Sequence, residues 1–326
     1  MQENKNTHYM QSYLWAIVKT VYGWKSDMLP CKDILSEHIV VYKRTVPGVG
    51  KLAYIPGLSG ITKENAKTVT KQLAEQYKKK VFAVRLELNQ PHDEELLTDL
   101  KKHGWGTTQK HVQYRHTVHV DLTRPENDIW VGFKSRGRYE VLQAQKFGVE
   151  IEEAELNEKN FARMYKLMGV TSERNKFFIR GAEFTHAYWS TFAERGQLKL
   201  FFAKHEGDTL AGAIILTNGE LAWYKDGGSV REKSNMMAAR LLQWEAMKAL
   251  KQDGIQLYDL GGIPAPEGHQ TSSMKGIYVF KTAYSKETVE LMPTLELPLS
   301  SRYKLWPKTE KQWLRVYNLL AHNLWW

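Results

Sequence analysis

The chain has 326 residues, 42% hydrophobic and 25% charged, with a formal net charge of +10 and a pI near 9.3. This length allows two domains of ordinary size, and the balance excludes a disordered or fibrous chain. Its single cysteine, Cys31, excludes an internal disulfide framework, and no apolar run approaches the ~18 to 20 residues that a membrane-spanning helix needs.

Read in chain order, "HYMQSYLWAIVKTVYGW" opens with helical spacing, Met10, Leu14 and Ile17 falling on one face. "EHIVVYKRTV" and "KLAYIP" read as strands joined through Pro47-Gly48, followed by a helix over about 63–80 and the strand "VFAVRLEL". "HDEELLTDLKKHG" is a helix with acids early and bases late, as the helix dipole prefers. "HVQYRHTVHVDL" alternates cleanly and predicts one continuous strand. A second unit begins near Pro125: a basic helix and strand over "WVGFKSRGRYEVLQAQKFGVEI", two helices, three strands, the long helix "NMMAARLLQWEAMKALKQDG", and the strand "IQLYDL". Both halves thus run through a strand meander, a helix and a returning strand, an α+β pattern of mixed sheets flanked by helices.

The chemistry signals are sparse. His111, His116 and His119 lie in the predicted strand, with His111 and His119 eight residues apart on one face, too far to share a metal; no metal site is expected. "PGLSGI" around Ser59 lacks the spacing of a nucleophile elbow and reads as a loop. No histidine is placed with Cys31 by sequence, so packing or a surface position is its default role. "KKHGWG" follows a helix and precedes a strand, which is a C-cap rather than a pyrophosphate loop. The net positive charge favours acidic partners such as nucleic acid, anionic lipid or a phosphorylated substrate. In the last segment, Trp313, Val316, Leu320 and Leu324 share a helical face among five basic residues and Glu310. That face serves either to dock the helix on the body or, with Trp306, Trp325 and Trp326, to touch the inner membrane face.

Two layouts are similar to known ones. The meander with helix and strand return resembles the GNAT acyltransferase fold. "LYDLGGIP" followed by "KGIYVFKTAYS", behind the long helix, resembles the FemABX family of peptidoglycan aminoacyltransferases, of the type without a coiled-coil arm. Four more segments agree in order: "QSYLWAIVKTVYGW", "SRGRYEVLQAQKFGVEI", "TSERNKFFIRGAEF" and "LAWYKDGGS", so the match runs from about residue 11 to 292. The resemblance implies two GNAT-like domains, residues 1–122 with 293–326 and residues 123–292. It implies transfer of an amino acid from aminoacyl-tRNA to the stem-peptide amino group of lipid II or UDP-MurNAc-pentapeptide, by a cytoplasmic monomer needing no cofactor and no acetyl-CoA. Carried across by motif, Lys281 after Phe280 serves the transfer step. Lys19 and Arg180 bind the acceptor's phosphates, Tyr224 is a further acceptor contact, and Arg138 faces tRNA or acceptor phosphate. A held ammonium suits the negative oxygen of a tetrahedral intermediate, and arginine suits a pyrophosphate. For the proton that the attacking amine must lose, Asp226, Asp259 and groups of the substrate all stay open. So do a non-catalytic tRNA- or lipid-binding protein on this fold and a CoA-dependent N-acyltransferase, although the segment "GGSVREKSNMM" lacks a Q/R-x-x-G-x-G loop. The chain departs from the family where relatives turn on glycine after Phe-Lys: it has "TAYSKE", with Ala283. The short loop after "GGIP" holds Glu267 and His269.

Overall fold

A computed structural model describes residues 6–34, 36–268 and 274–321, and the chain divides into two compact units, one of residues 1–115 and 290–326, the other of residues 116–289. His269, Leu324, Trp325 and Trp326 lie outside the described residues, as does the side chain of Leu320.

The first unit opens with α1 (Tyr13–Val21), which starts where Ser12 accepts the Trp15 N–H. A meander follows: β1 (Lys25–Pro30), β2 (His38–Val46) and β3 (Gly50–Leu58), each antiparallel to the last. The helix α2 (Lys63–Tyr77) then crosses to β4 (Ala83–Leu88), parallel to β3. After α3 (Glu94–Lys102), closed by Gly104 in the left-handed region, come the short β5 (Gly106–Thr107) and the crossing into the second unit. The chain returns at its end to place β14 (Leu295–Pro298) between β4 and β5, giving the order β1-β2-β3-β4-β14-β5, and finishes with α10 (Trp306–Ala321).

The second unit contains β6 (His116–Thr117), β7 (His119–Asp121), α4 (Glu126–Gly132), α5 (Ser135–Lys146) and β8 (Glu150–Ala154). Next come α6 (Glu158–Asn175), α7 (Ala182–Ala193) and the meander β9 (Leu198–His205), β10 (Asp208–Asn218) and β11 (Leu221–Ser229). The long α8 (Ala238–Gln252) leads to β12 (Leu257–Asp259), parallel to β11, then to α9 (Lys275–Lys281) and β13 (Val289–Glu290). The sheet order is β7-β12-β11-β10-β9-β8. Its two faces are covered by different helices. A methyl at Gly212 of β10 would meet Met164 of α6, whereas its neighbours Ala211 and Ala213 share a core with Leu241 and Met247 of α8. Each unit therefore repeats one plan, a three-strand meander, a crossover helix and a parallel return.

Two expectations are corrected, and a third segment takes a form that its apolar, aromatic letters disfavour. Residues 111–121 are not one strand: the carboxylate of Glu87 accepts the Val112 and Gln113 N–H groups at 2.8 and 3.2 Å, so this backbone has no need of a ladder before β6. The basic segment after Pro125 is two helices, α4 and α5, broken at Phe133, which is fully buried. The aromatic run "KGIYVFK" is helical, because Arg240 of α8 donates to the Phe280 carbonyl and, at 3.3 Å, to the Val279 carbonyl, satisfying the end of α9.

Candidate active site

The site is built where β11 and β12 part. Their parallel pairing covers Leu221 with Leu257, Ala222 with Tyr258 and Trp223 with Asp259; β12 then ends while β11 runs on. Gly261 turns in the left-handed region, and a methyl there would come 3.3 Å from both the Tyr224 carbonyl and Lys281 Nζ. Lys281 Nζ donates to the Gly262 carbonyl at 3.0 Å and lies 5.8 Å from the centre of the Tyr224 ring. Burial pushes the Lys281 ammonium down to about 8, opposed by the negative charge of Asp259. Burial also raises the Tyr224 hydroxyl above its ordinary range.

Asp259 supports this end of the sheet. Its Oδ1 accepts the Thr117 hydroxyl and, at 2.7 Å, the Gly261 N–H, and its Oδ2 lies 3.7 Å from His119 Nε2. Burial alone would raise this carboxyl, but His119, Thr117 and the Gly261 N–H outweigh it and hold it at about 2. Neither Thr117 nor His119 had been read as part of a site. Period-2 alternation around them was visible, but His119 meets Asp259 only through the antiparallel register of β7 with β12.

Lys281 depends on the packing behind it. Arg240 Nε sits 2.6 Å from Glu140 Oε2 of α5, both side chains nearly buried, while its guanidinium lies 4.7 Å from the Phe280 ring centre. The turn "TAYS" is fastened without a glycine of its own: the Ala283 carbonyl accepts the Lys134 N–H at 2.9 Å. The glycine is on the partner helix instead, since a methyl at Gly137 would come 2.7 Å from that carbonyl. Phe280 packs half-buried against this core with its ring 5.8 Å from that of Tyr284.

On the α6–α7 face of β11 a second group of polar side chains gathers. The register with β10 shifts so that Lys225 is an extra residue, a bulge. Lys225 Nζ is 3.7 Å from Asp226 Oδ1 and 5.5 Å from the Tyr188 ring centre. The indole N–H of Trp189, a fully buried residue of α7, donates to Asp226 Oδ2 at 3.0 Å. Burial lowers Lys225 to about 8, helped by the charge of Arg180; burial raises Asp226 to about 7 against that same charge. Arg180 thus belongs electrostatically to this group, its guanidinium 4.5 Å from the Phe184 ring centre.

The segments singled out by sequence have distinct placements. Thr171 and Arg174, the Thr and Arg that open "TSERNKFFIR", both grip Ser229 at the end of β11: Thr171 Oγ1 accepts its N–H at 2.8 Å, and Arg174 donates to its carbonyl at 2.8 Å. Arg138 donates to the carbonyls of Val131 (3.2 Å) and Phe133, closing the end of α4. Lys19 belongs to the first unit, buried with its ammonium 4.8 Å from the Trp24 ring centre and 5.9 Å from that of Trp15. Gln11 of the same segment bonds both the N–H and the carbonyl of Val40. Cys31 is buried, and burial pushes its thiol up. Among the described residues no group of three or more His, Cys, Asp or Glu is arranged to hold a metal ion, and no helix is long and apolar enough to cross a membrane.

The meander, crossover helix and splayed parallel pair define the class, a GNAT-like α+β protein, and residues 134–271 match the acetyltransferase (GNAT) domain family. Relatives named as transferases match over most of the chain. Lipid II:glycine glycyltransferase of Staphylococcus haemolyticus is 21% identical, covering 87% of this chain and 86% of that protein. The crystal structure of FemX matches with a TM-score of 0.79 at 18% identity, covering 94% of this chain and 96% of FemX. L-PGS from Bacillus licheniformis shares the fold more distantly, with a TM-score of 0.56 at 12% identity. The FemABX resemblance of the sequence is therefore borne out in homology and in fold. The alignment with the S. haemolyticus protein spans 373 positions, more than the 326 residues of this chain, so that relative carries segments absent here.

Proposed function

We propose that this protein is an aminoacyltransferase that moves an amino acid from aminoacyl-tRNA to the stem-peptide amino group of a peptidoglycan precursor, lipid II or UDP-MurNAc-pentapeptide, and so builds the interpeptide bridge. The observation that carries this reading is homology with lipid II:glycine glycyltransferases over nearly nine-tenths of the chain. The chemistry of the cleft agrees with it. Attack on the aminoacyl ester places negative charge on a carbonyl oxygen, and a half-buried ammonium at the parting of β11 and β12 stabilises such charge by about 3 kcal/mol. Lys281 takes that role, oriented by the Gly262 carbonyl, with the Tyr224 ring beside it. Lys19, Arg180 and Arg138 are the cations offered to acceptor phosphate and tRNA. No metal or organic cofactor enters the proposed reaction; the donor's ester is already activated.

Incubation with charged tRNAs and either lipid II or the UDP-linked precursor, followed by mass spectrometry of the acceptor, tests this. A mass gain of one aminoacyl residue is expected; no gain with any charged tRNA overturns the reading. A CoA thioester donor is the second reading, favoured by the GNAT domain match, and saturable acetyl-CoA binding in calorimetry would support it.

A further inference from the structure

We infer that the outward face of α5, with the end of α4 beside it, docks on an anionic lipid bilayer, and that the acceptor of this chain is accordingly the lipid-linked one. The choice of acceptor deepens the proposed aminoacyl transfer and rests on it, whereas the docking does not. α5 buries Gly137, Glu140, Val141 and Ala144, which leaves Tyr139, Leu142 and Lys146 on the opposite face at spacings of three and four residues. Tyr139 is 60% exposed and Leu142 52%, and they stand at the centre of that face. Arg138, one turn before Leu142, holds the Val131 carbonyl at 3.2 Å, and Val131 is itself 54% exposed. Single apolar side chains are scattered over any surface, but three large ones grouped on one helix face and its neighbour mark a docking site.

Charge decides the occupant. Lys134, Arg136 and Lys146 are exposed around the apolar centre, Arg136 with 75% of its side-chain surface in solvent. The one acid of α5, Glu140, is turned inward, where it meets Arg240 at 2.6 Å and Arg136 Nε at 2.8 Å. Glu126 and Asp128 lie in the first turn of α4, at the end away from Val131. The face is thus apolar at its centre and positive at its margin. A helix lying in the headgroup layer has this arrangement, its lysines and arginines reaching the lipid phosphates while its apolar side chains enter the acyl boundary. A nucleic acid offers aliphatic side chains such as Val131 and Leu142 little, because its contacts are phosphates and stacking bases.

The reverse side of α5 joins this face to the reacting cation. The Lys134 N–H donates to the Ala283 carbonyl at 2.9 Å, two residues after Lys281, and the close approach at Gly137 sets α5 against the same turn. The thickness of α5, about 10 Å, separates the docking face from that turn. An extended stem peptide advances about 3.3 Å per residue, so its third residue stands about 10 Å from the sugar that carries it. An acceptor whose phosphates stay at the headgroups can therefore bring its amine to Lys281. A nucleotide-linked acceptor has no need of such a face.

Sedimentation with phosphatidylcholine vesicles, alone or with one-third phosphatidylglycerol, reads the docking without any substrate. Wild-type protein should pellet with the anionic vesicles and far less with the neutral ones, and added salt should weaken the binding. Tyr139→Ser with Leu142→Ser should lower the partition coefficient about tenfold or more, and Arg136→Gln with Lys146→Gln by a similar factor. All four positions face outward, so thermal melts should match wild type. With aminoacyl-tRNA as donor, both variants should lose about tenfold in transfer to lipid II in anionic vesicles, while any transfer to soluble UDP-MurNAc-pentapeptide stays at the wild-type rate. No vesicle binding by wild type, or equal binding by wild type and both variants, overturns the docking face. Variants that keep the vesicles but lose tRNA in filter binding make it a nucleic-acid surface and overturn it as well. Faster wild-type transfer to the UDP-linked precursor than to lipid II overturns the choice of acceptor. If wild-type protein binds the vesicles yet transfers to neither acceptor, the aminoacyl-transfer reading falls and the docking face stands.

Discussion

Lys281 keeps its charge at a cost. Its folded pKa of about 8 lies below the roughly 10.4 of a free lysine, so burial opposes the charged form by up to about 3 kcal/mol. Because the folded value is the lower one, this destabilisation is fully present below pH 8 and fades as pH rises toward 10.4. Lys281→Met should therefore raise the melting temperature by several degrees at pH 7, a gain that shrinks by pH 10, while transfer falls about 100-fold. Thermal melts at the two pH values and an acceptor mass assay measure both; a lower melting temperature at pH 7 would refute the burial argument. Wild-type activity should also decline above about pH 8, as the ammonium is lost. Gly227 carries a related prediction. A methyl there would overlap the Tyr224 hydroxyl, so Gly227→Ala must displace the ring that walls Lys281. Transfer should drop about tenfold or more with the fold retained, read by steady-state kinetics beside a circular dichroism spectrum.

Among elements, the stability of α9 is borrowed from α5 and α8. Its seven residues are too few to hold a helix unaided, and Arg240 supplies the missing donors while pairing with Glu140. Arg240→Met should cost about 3 kcal/mol in urea unfolding and reduce kcat, since Glu140 is left buried with only the more exposed Arg136. Arg240→Lys should recover part of the stability but little of the kcat, because one nitrogen cannot span the acceptors that Arg240 reaches with Nε, Nη1 and Nη2. This is also where sequence reading reached its limit. The motif "KGIYVFK" pointed to Lys281, yet its apolar, aromatic letters favour a strand, and the arginine that makes it helical stands 40 residues earlier. The meanders and crossover helices were legible because periodicity is local. The segment 111–115 was misread because Glu87, 25 and 26 positions away, takes its amide hydrogens. Asp226 and Asp259 were both visible as acids, but what separates them, one saturated and one half-open, belongs to tertiary packing.

At the scale of the whole chain, the first unit is completed only by its last residues. β14 fills the place between β4 and β5, and α10 then docks through Trp306, fully buried, and Glu310, whose carboxylate lies 2.7 Å from Arg85 Nη1. Arg85 is itself fully buried on β4 and pairs with Glu296 of β14 at 2.6 Å, so one guanidinium joins three elements. From the sequence, Glu310 was a lone acid on a basic helix; its partner lies 225 residues earlier, beyond any local signal. Val316 is half exposed, so the apolar face of α10 is only partly used in docking. Glu310→Ala removes one of two carboxylates from a buried cation and should destabilise the first unit by about 3 kcal/mol. Native-state hydrogen exchange locates the effect. Amides of β3, β4 and β14 should lose protection, while those of β9, β10 and β11 keep theirs, because the second unit has its own core. Equal loss in both sets would mean that the two units unfold as one.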